Sequence, residues 1–85
     1  MEPLLNIVRL EQGRLDEALT DFNKAVTTDS SYAQAYLNRG TVQMLKGRQA
    51  EADQDFRRCL ELAPGLKQIL EDRRKEVAEK RLTKQ

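Results

Sequence analysis

The sequence predicts an all-α protein built from antiparallel helix hairpins that repeat along the chain and are closed by one further helix. Three observations support this fold class. Glycine, small, aromatic and small residues recur in one order 34 residues apart, with Gly13, Ala18, Phe22 and Ala25 aligned with Gly47, Ala52, Phe56 and Cys59. Apolar residues within each segment are spaced by three and four, which is typical of one buried helical face. Turn-forming residues separate the segments. We therefore expect no strand and five helices, near residues 3–12, 15–28, 32–46, 49–62 and 66–82.

The first predicted helix, near residues 3–12, is unusually rich in apolar residues, namely Leu4, Leu5, Ile7, Val8 and Leu10. At about 100° per residue they cover an arc of roughly 220°, about twice what a contact on one side needs. We expect the surplus to be covered by self-association through Leu4, Ile7 and Val8 or by an upstream repeat of a longer array, or this helix to rearrange. The alternative is a short, frayed helix whose leucines touch solvent.

The second and third helices form the centre of the predicted repeat. The second, near residues 15–28, has its buried stripe at Leu15, Ala18, Leu19, Phe22, Ala25 and Val26. The third, near residues 32–46, follows Ser31, which with Gln34 has the form of a capping box. Gly47 is expected to end this helix in the left-handed conformation.

The fourth helix, near residues 49–62, places Ala52, Phe56, Cys59 and Leu60 on its buried stripe. Phe56 and Phe22 are expected to fill the core between successive hairpins. Cys59 is interpreted as a small structural residue rather than a reactive thiol. Asp53 and Asp55 are expected to face solvent.

The closing helix, near residues 66–82, keeps an apolar stripe at Leu66, Ile69, Leu70, Val77 and Ala78. Arg73 and Arg74 stand where a third repeat would need packing residues, so we interpret this helix as a cap with a polar outer face. Residues 65–85 hold seven Lys or Arg and four Asp or Glu, a net charge of 7 − 4 = +3, and no aromatic residue. A small excess without stacking residues argues against nucleic-acid binding.

Composition restricts the functions that the chain can have. Among its 85 residues there is no histidine and one cysteine, and the net charge is +1. This excludes histidine-based catalysis, most zinc sites and an internal disulfide. No apolar run is long enough to cross a membrane, and we identify no signal peptide. We expect no enzyme activity, no cofactor and no metal, and a cytoplasmic location.

The most distinctive residues of the second unit resemble a known family. The segment Ala35-Tyr36-Leu37-Asn38-Arg39-Gly40, followed by Gly47, Ala52, Phe56 and Leu60-Glu61-Leu62-Ala63-Pro64, resembles the tetratricopeptide repeat. The resemblance covers residues 1 to about 64. It divides the chain into repeat 1 (1–30), repeat 2 (31–64) and a capping helix with a charged tail (65–85). The sequence departs from the family pattern at Asn6, Ser30 and Gln43.

The resemblance implies an adaptor or scaffold that binds a partner peptide or helix in a concave groove. The matching inner-surface positions are Gln34, Leu37, Asn38, Thr41 and Leu45. Some relatives bind acidic chaperone tails through a clamp of lysine, arginine and asparagine. If residues 31–64 were the middle repeat of that clamp, Asn38 would fit, but Pro3 and Ile7 would stand where Lys and Asn are needed. If they were its last repeat, Gln34 and Asn38 would stand where Lys and Arg are needed, so we expect no tight binding of such tails here. The alternative function is structural: an oligomerisation unit, such as a homodimer, or a fragment of a longer repeat protein.

Overall fold

The computed structural model describes residues 12–83 of the chain. It contains four α-helices, α1 (Gln12–Thr28), α2 (Ala33–Leu45), α3 (Gln49–Leu62) and α4 (Lys67–Thr83), and a 3-10 turn at Pro64–Leu66 before α4. No strand occurs within these residues. The predicted all-α fold class is confirmed. The first predicted helix, with the proposed association residues Leu4, Ile7 and Val8, lies outside the described residues.

The start of α1 differs from the prediction. The helix begins at Gln12, three residues before the expected start at Leu15, so that Gly13 lies inside it. The predicted bounds had left Gly13 between two helices, near residues 3–12 and 15–28. A glycine in a helix costs only about 1 kcal/mol relative to alanine, which favourable packing elsewhere in the helix can offset.

The connection between α1 and α2 contains a second correction. The predicted capping box at Ser31 and Gln34 is wrong, because α2 begins at Ala33 with Tyr32 as its N-cap and no side-chain cap. The Ser31 hydroxyl instead donates to the Asp29 carboxylate at 2.7 Å, and the Ser31 backbone N–H donates to it at 3.0 Å. These two hydrogen bonds hold the pKa of Asp29 below its usual value. The serine that would have capped α2 is therefore engaged in the preceding turn.

The end of α2 agrees with the prediction. Gly47 has a φ of 82°, in the left-handed region that favours glycine. The Arg48 N–H donates to the Gln43 carbonyl at 2.8 Å and the Gly47 N–H to the Met44 carbonyl at 3.0 Å. This pair of bonds is the Schellman motif, and it reverses the chain so that α3 can pack back on α2.

The core centres on the packing of α2 against α3. Phe56 is only 2% exposed, and a methyl group on Gly40 would lie 2.6 Å from its ring. The missing side chain at Gly40 thus lets the ring rest directly on the α2 backbone. Ala52 and Cys59 complete the buried stripe of α3, as expected. Phe22 is only partly buried and packs at the edge of this core, so the two aromatic rings are not equivalent.

The sequence analysis expected Asp55 to face solvent, and this prediction is wrong. Asp55 is buried and only 5% exposed. Its two carboxylate oxygens accept hydrogen bonds from Nε and Nη2 of Arg39, each at 2.7 Å. The remaining nitrogen of Arg39 donates to Asn23 on α1 at 3.0 Å. The bond to Asp55 raises the pKa of Arg39. Arg39 of α2 is thus bonded to α3 through Asp55 and to α1 through Asn23.

The last helix, α4, closes the core through Leu70 and Val77, which are 2% and 0% exposed. Most of its exposed positions are polar: Lys67, Gln68, Glu71, Asp72, Lys75, Glu76 and Glu79. Between residues 12 and 83, none of the helices has the length and apolar character needed to cross a membrane.

Candidate functional site

The five residues predicted to line a groove all lie on α2, but they differ in exposure. Leu37, Thr41 and Leu45 are only 3%, 4% and 9% exposed. Gln34 is exposed and Asn38 is half-buried. Only Gln34 and Asn38 therefore offer appreciable surface to a partner, whereas the other three support the helix from within.

The reason for this burial is partly the position of α4, which packs beside α2. Arg73 of α4 donates from Nη1 to the Asn38 side-chain oxygen at 3.4 Å and to the Thr41 hydroxyl at 3.2 Å. The Thr41 hydroxyl in turn donates to the Leu37 carbonyl at 2.9 Å. Because Thr41 both donates and accepts, its hydrogen-bonding capacity is largely used within the protein.

Arg73 is the residue that sequence reasoning missed. It was interpreted as part of a solvated outer face, yet it is half-buried and contacts two of the five predicted site residues. A signal was present in the repeat, since Arg73 lies 34 residues after Arg39, an arginine that bonds to neighbouring helices. Two of the residues predicted on α2 are thus hydrogen-bonded to α4.

An apolar residue lies next to this polar contact. Ile69, one helical turn before Arg73, is 50% exposed, although the sequence had placed it on the buried stripe. Short connections join antiparallel helices, so α2 and α4 run in the same direction. On α2, Gln34 lies one helical turn before Asn38, just as Ile69 lies one turn before Arg73 on α4. We call the surface formed by Gln34, Asn38, Ile69 and Arg73 the α2–α4 surface.

A second concave region, of about 480 Å³, lies between α3 and α4. Its lining residues are Asp53, Phe56, Arg57, Leu60, Leu70, Glu71 and Arg74. Arg74 crosses it, lying 5.3 Å from the centre of the Phe56 ring and 3.5 Å from the Asp53 carboxylate. The lining holds two cations and two anions, so their charges balance within the groove itself.

A third depression, of about 360 Å³, is formed by α1 alone. It is lined by small polar side chains and one lysine: Thr20, Asn23, Lys24, Thr27 and Thr28. One helix supplies every wall, and Asn23 is already bonded to Arg39. The α1 depression therefore brings together side chains of one helix, whereas the α2–α4 surface combines side chains of two.

The described residues provide little for metal or thiol chemistry. Between residues 12 and 83, no three His, Cys, Asp or Glu side chains are grouped so as to hold a metal ion. Cys59 is 0% exposed, and burial raises the pKa of its thiol. A raised pKa reduces the thiolate fraction at neutral pH, which agrees with a structural role for this residue.

Two family models match the chain. One, described as TPR repeat, covers residues 8–47, and the other, described as Tetratricopeptide repeat, covers residues 33–66. Among curated proteins, human Protein O-mannosyl-transferase TMTC1 is 37% identical over 73 residues, and the mouse protein of the same name is 36% identical over 62 residues. These matches cover 85% and 73% of this chain but only 8% and 7% of the two relatives. No solved structure matches the chain significantly.

Proposed function

Because this chain belongs to the tetratricopeptide-repeat family, a fold of protein-interaction modules, we propose that it binds a segment of a partner protein along the α2–α4 surface. The observation that carries the proposal is the polar contact at the boundary of two helices, in which the half-buried Asn38 and Arg73 meet the buried Thr41. Partly desolvated polar groups fixed on rigid helices suit the recognition of a peptide backbone or side chain.

The surface has both parts of a recognition site. Gln34 is exposed on α2, and its amide can donate to and accept from a peptide backbone. Ile69 supplies exposed apolar area one turn away from Arg73. Leu37, Thr41 and Leu45 hold α2 in place beneath the surface rather than touching the partner directly. The proposal thus keeps the groove predicted from the sequence but changes which residues contact the partner.

The test compares two exposed glutamines on different helices. Gln34 lies on α2 within the proposed surface, and Gln54 lies on α3 outside it. Partner proteins captured by the tagged full chain are expected to be lost with Gln34→Ala combined with Asn38→Ala and kept with Gln54→Ala. Circular dichroism establishes that each variant is folded. Equal capture by all variants would contradict a partner site at the α2–α4 surface.

The relatives are named as transferases, and the chain spans less than a tenth of their lengths. Tetratricopeptide repeats are a non-catalytic interaction fold, so we assign this segment a binding role rather than the transfer reaction. The location in the cytoplasm stays a prediction from the sequence.

A second candidate function is structural, as a self-associating unit or as one part of a longer repeat protein. Two observations favour it: the wide apolar arc that includes Leu4, Ile7 and Val8, and the small share of the relatives that the chain covers. In this proposal the association uses the N-terminal segment.

A further inference from the structure

The concave region between α3 and α4 combines an apolar floor with charged walls. We call this region, of about 480 Å³, the α3–α4 groove. Its lining residues are Asp53, Phe56, Arg57, Leu60, Leu70, Glu71 and Arg74. Phe56 and Leu70 are each 2% exposed, and Leu60 is half-buried. Asp53 of α3 and Arg74 of α4 form an ion pair across it at 3.5 Å, which fixes the residues of the two helices that face each other.

The side chain of Arg74 determines what the α3–α4 groove can hold. At the contact between α2 and α3, Gly40 has no side chain, and a methyl group there would lie 2.6 Å from the Phe56 ring. The residue 34 positions after Gly40 is Arg74, whose guanidinium lies 5.3 Å from the centre of the same ring. Another helix could not approach α4 at Arg74 as closely as α3 approaches α2 at Gly40. The groove therefore suits a single side chain better than a packed helix.

Two charged residues of the groove lack an oppositely charged partner. Among residues 12–83, Arg57 and Glu71 have no such group within the 4.0 Å of an ion pair. Arg57 lies four residues after Asp53, and Glu71 lies three residues before Arg74. Because a short connection makes α3 and α4 antiparallel, both are displaced from the ion pair in the same direction, by about 6 and 4.5 Å. A donor and an acceptor thus flank the same part of the groove.

These charges favour a neutral ligand that both donates and accepts. A charged group of either sign would meet a like charge in the groove as well as an opposite one. A hydroxyl can accept a hydrogen bond from Arg57 and donate one to Glu71. Beside them, one face of the Arg74 guanidinium covers Phe56, while the side chain stays 43% exposed. A guanidinium stacks on aromatic rings, so its outer face can take a second ring.

We propose that the α3–α4 groove is a second binding site, which takes the side chain of a tyrosine from a partner protein. The aromatic ring packs on Leu60 and the outer face of Arg74, and the hydroxyl lies between Arg57 and Glu71. Phenylalanine would leave both charged residues without a partner, and the tryptophan N–H would satisfy Glu71 alone. This site goes beyond the proposed function, because it shares no residue with the α2–α4 surface.

The test titrates the full chain, labelled with ¹³C at its leucine methyl groups, with N-acetyl-tyrosinamide. The methyl signals of Leu60 and Leu70 are expected to shift, with a Kd in the millimolar range. N-acetyl-phenylalaninamide differs only by the hydroxyl and should bind about tenfold more weakly, because hydrogen bonds to charged groups are lost. The O-methyl ether of the tyrosine amide, which cannot donate to Glu71, should also bind more weakly than the tyrosine amide.

Substitutions in the groove separate recognition of the hydroxyl from misfolding. Arg57→Met and Glu71→Met should each weaken binding of the tyrosine amide and leave that of the phenylalanine amide unchanged, which an unfolded variant could not do. Arg58→Met and Glu76→Met are the matched controls, since both positions are exposed on the same helices but do not line the groove. Equal binding of the two amides, no binding of either, or equal losses with the controls would overturn the inference.

A tyrosine of the chain itself provides the last comparison. Tyr32 is 48% exposed, so a second copy could place it in the groove. In that case the signals of Leu60 and Leu70 would shift when the chain alone is concentrated, and Tyr32→Ser would abolish the shift. This result would assign the groove to self-association and overturn the proposal of a partner tyrosine. Every one of these outcomes leaves the proposed function at the α2–α4 surface intact.

Discussion

At the scale of single residues, the contact between Gly40 and Phe56 determines how closely α2 and α3 approach. An added methyl group at Gly40 would meet the ring of Phe56 at 2.6 Å, and that ring is 2% exposed. A buried ring cannot move aside without displacing its neighbours. We expect Gly40→Ala to destabilise the chain by about 1–3 kcal/mol in urea unfolding, as overpacked cores do.

The control for this prediction is a second glycine with open space around it. At Gly65 nothing lies within 4 Å of the added methyl group. Gly65→Ala is therefore expected to be close to neutral. Equal stability of the two variants would show that α2 and α3 are not in the contact described here.

The buried carboxylate of Asp55 gives a second prediction. Asp55→Ala leaves Arg39 without its charged partner, at a cost of about 2–5 kcal/mol in the free energy of unfolding. Asp53, two residues earlier, pairs with Arg74 at 3.5 Å, with both side chains more than 40% exposed. Exposed pairs contribute about 0–1 kcal/mol, so Asp53→Ala should be nearly silent. Similar losses from the two substitutions would contradict the burial of Asp55.

Residue patterns predicted the apolar contacts better than the polar ones. The stripe of Ala52, Phe56 and Cys59 follows from helical spacing, and the turn at Gly47 follows from glycine's conformational freedom. The burial of Asp55 was missed although it lies three residues after Ala52 and four before Cys59 on the same stripe. Its partner Arg39 could not be deduced, because it lies 16 residues away on another helix. Spacing shows which face a residue occupies, and it does not show which polar side chains meet across helices.

At the scale of elements, α4 has the least regular sequence and the largest consequence for the site. Its stripe is interrupted by Arg73 and Arg74, and both arginines contact the rest of the protein instead of pointing only to solvent. The groove predicted on α2 did not take these contacts into account. A cap was expected from the sequence, but its contribution to the surface depends on the packing of α4 beside α2.

The attachment of α4 depends on Val77, which is 0% exposed. Val77→Ala removes two methyl groups from a closed site and should cost about 1–3 kcal/mol in chemical denaturation. Glu79→Ala, an exposed position two residues further along α4, is the control and should change little. A silent Val77→Ala would show that α4 is not held against the core.

At the scale of the whole molecule, the N-terminal segment raises the question of association. If Leu4, Ile7 and Val8 are covered by a second copy, the apparent mass in light scattering should rise with concentration above 9.8 kDa. Ile7→Asp should restore the monomer, because a charge is costly in an apolar interface. A mass of 9.8 kDa at every concentration, unchanged by Ile7→Asp, would exclude self-association.

The central claim is that a partner binds at the α2–α4 surface. The most direct test is to titrate the ¹⁵N-labelled chain with a peptide that the chain has selected from a random peptide library. Amide signals of Gln34, Asn38, Ile69 and Arg73 are expected to shift progressively and together. Residues of the α1 depression, such as Thr20 and Thr27, should remain unchanged. Shifts confined to α1, or to the groove around Asp53 and Arg57, would contradict the account.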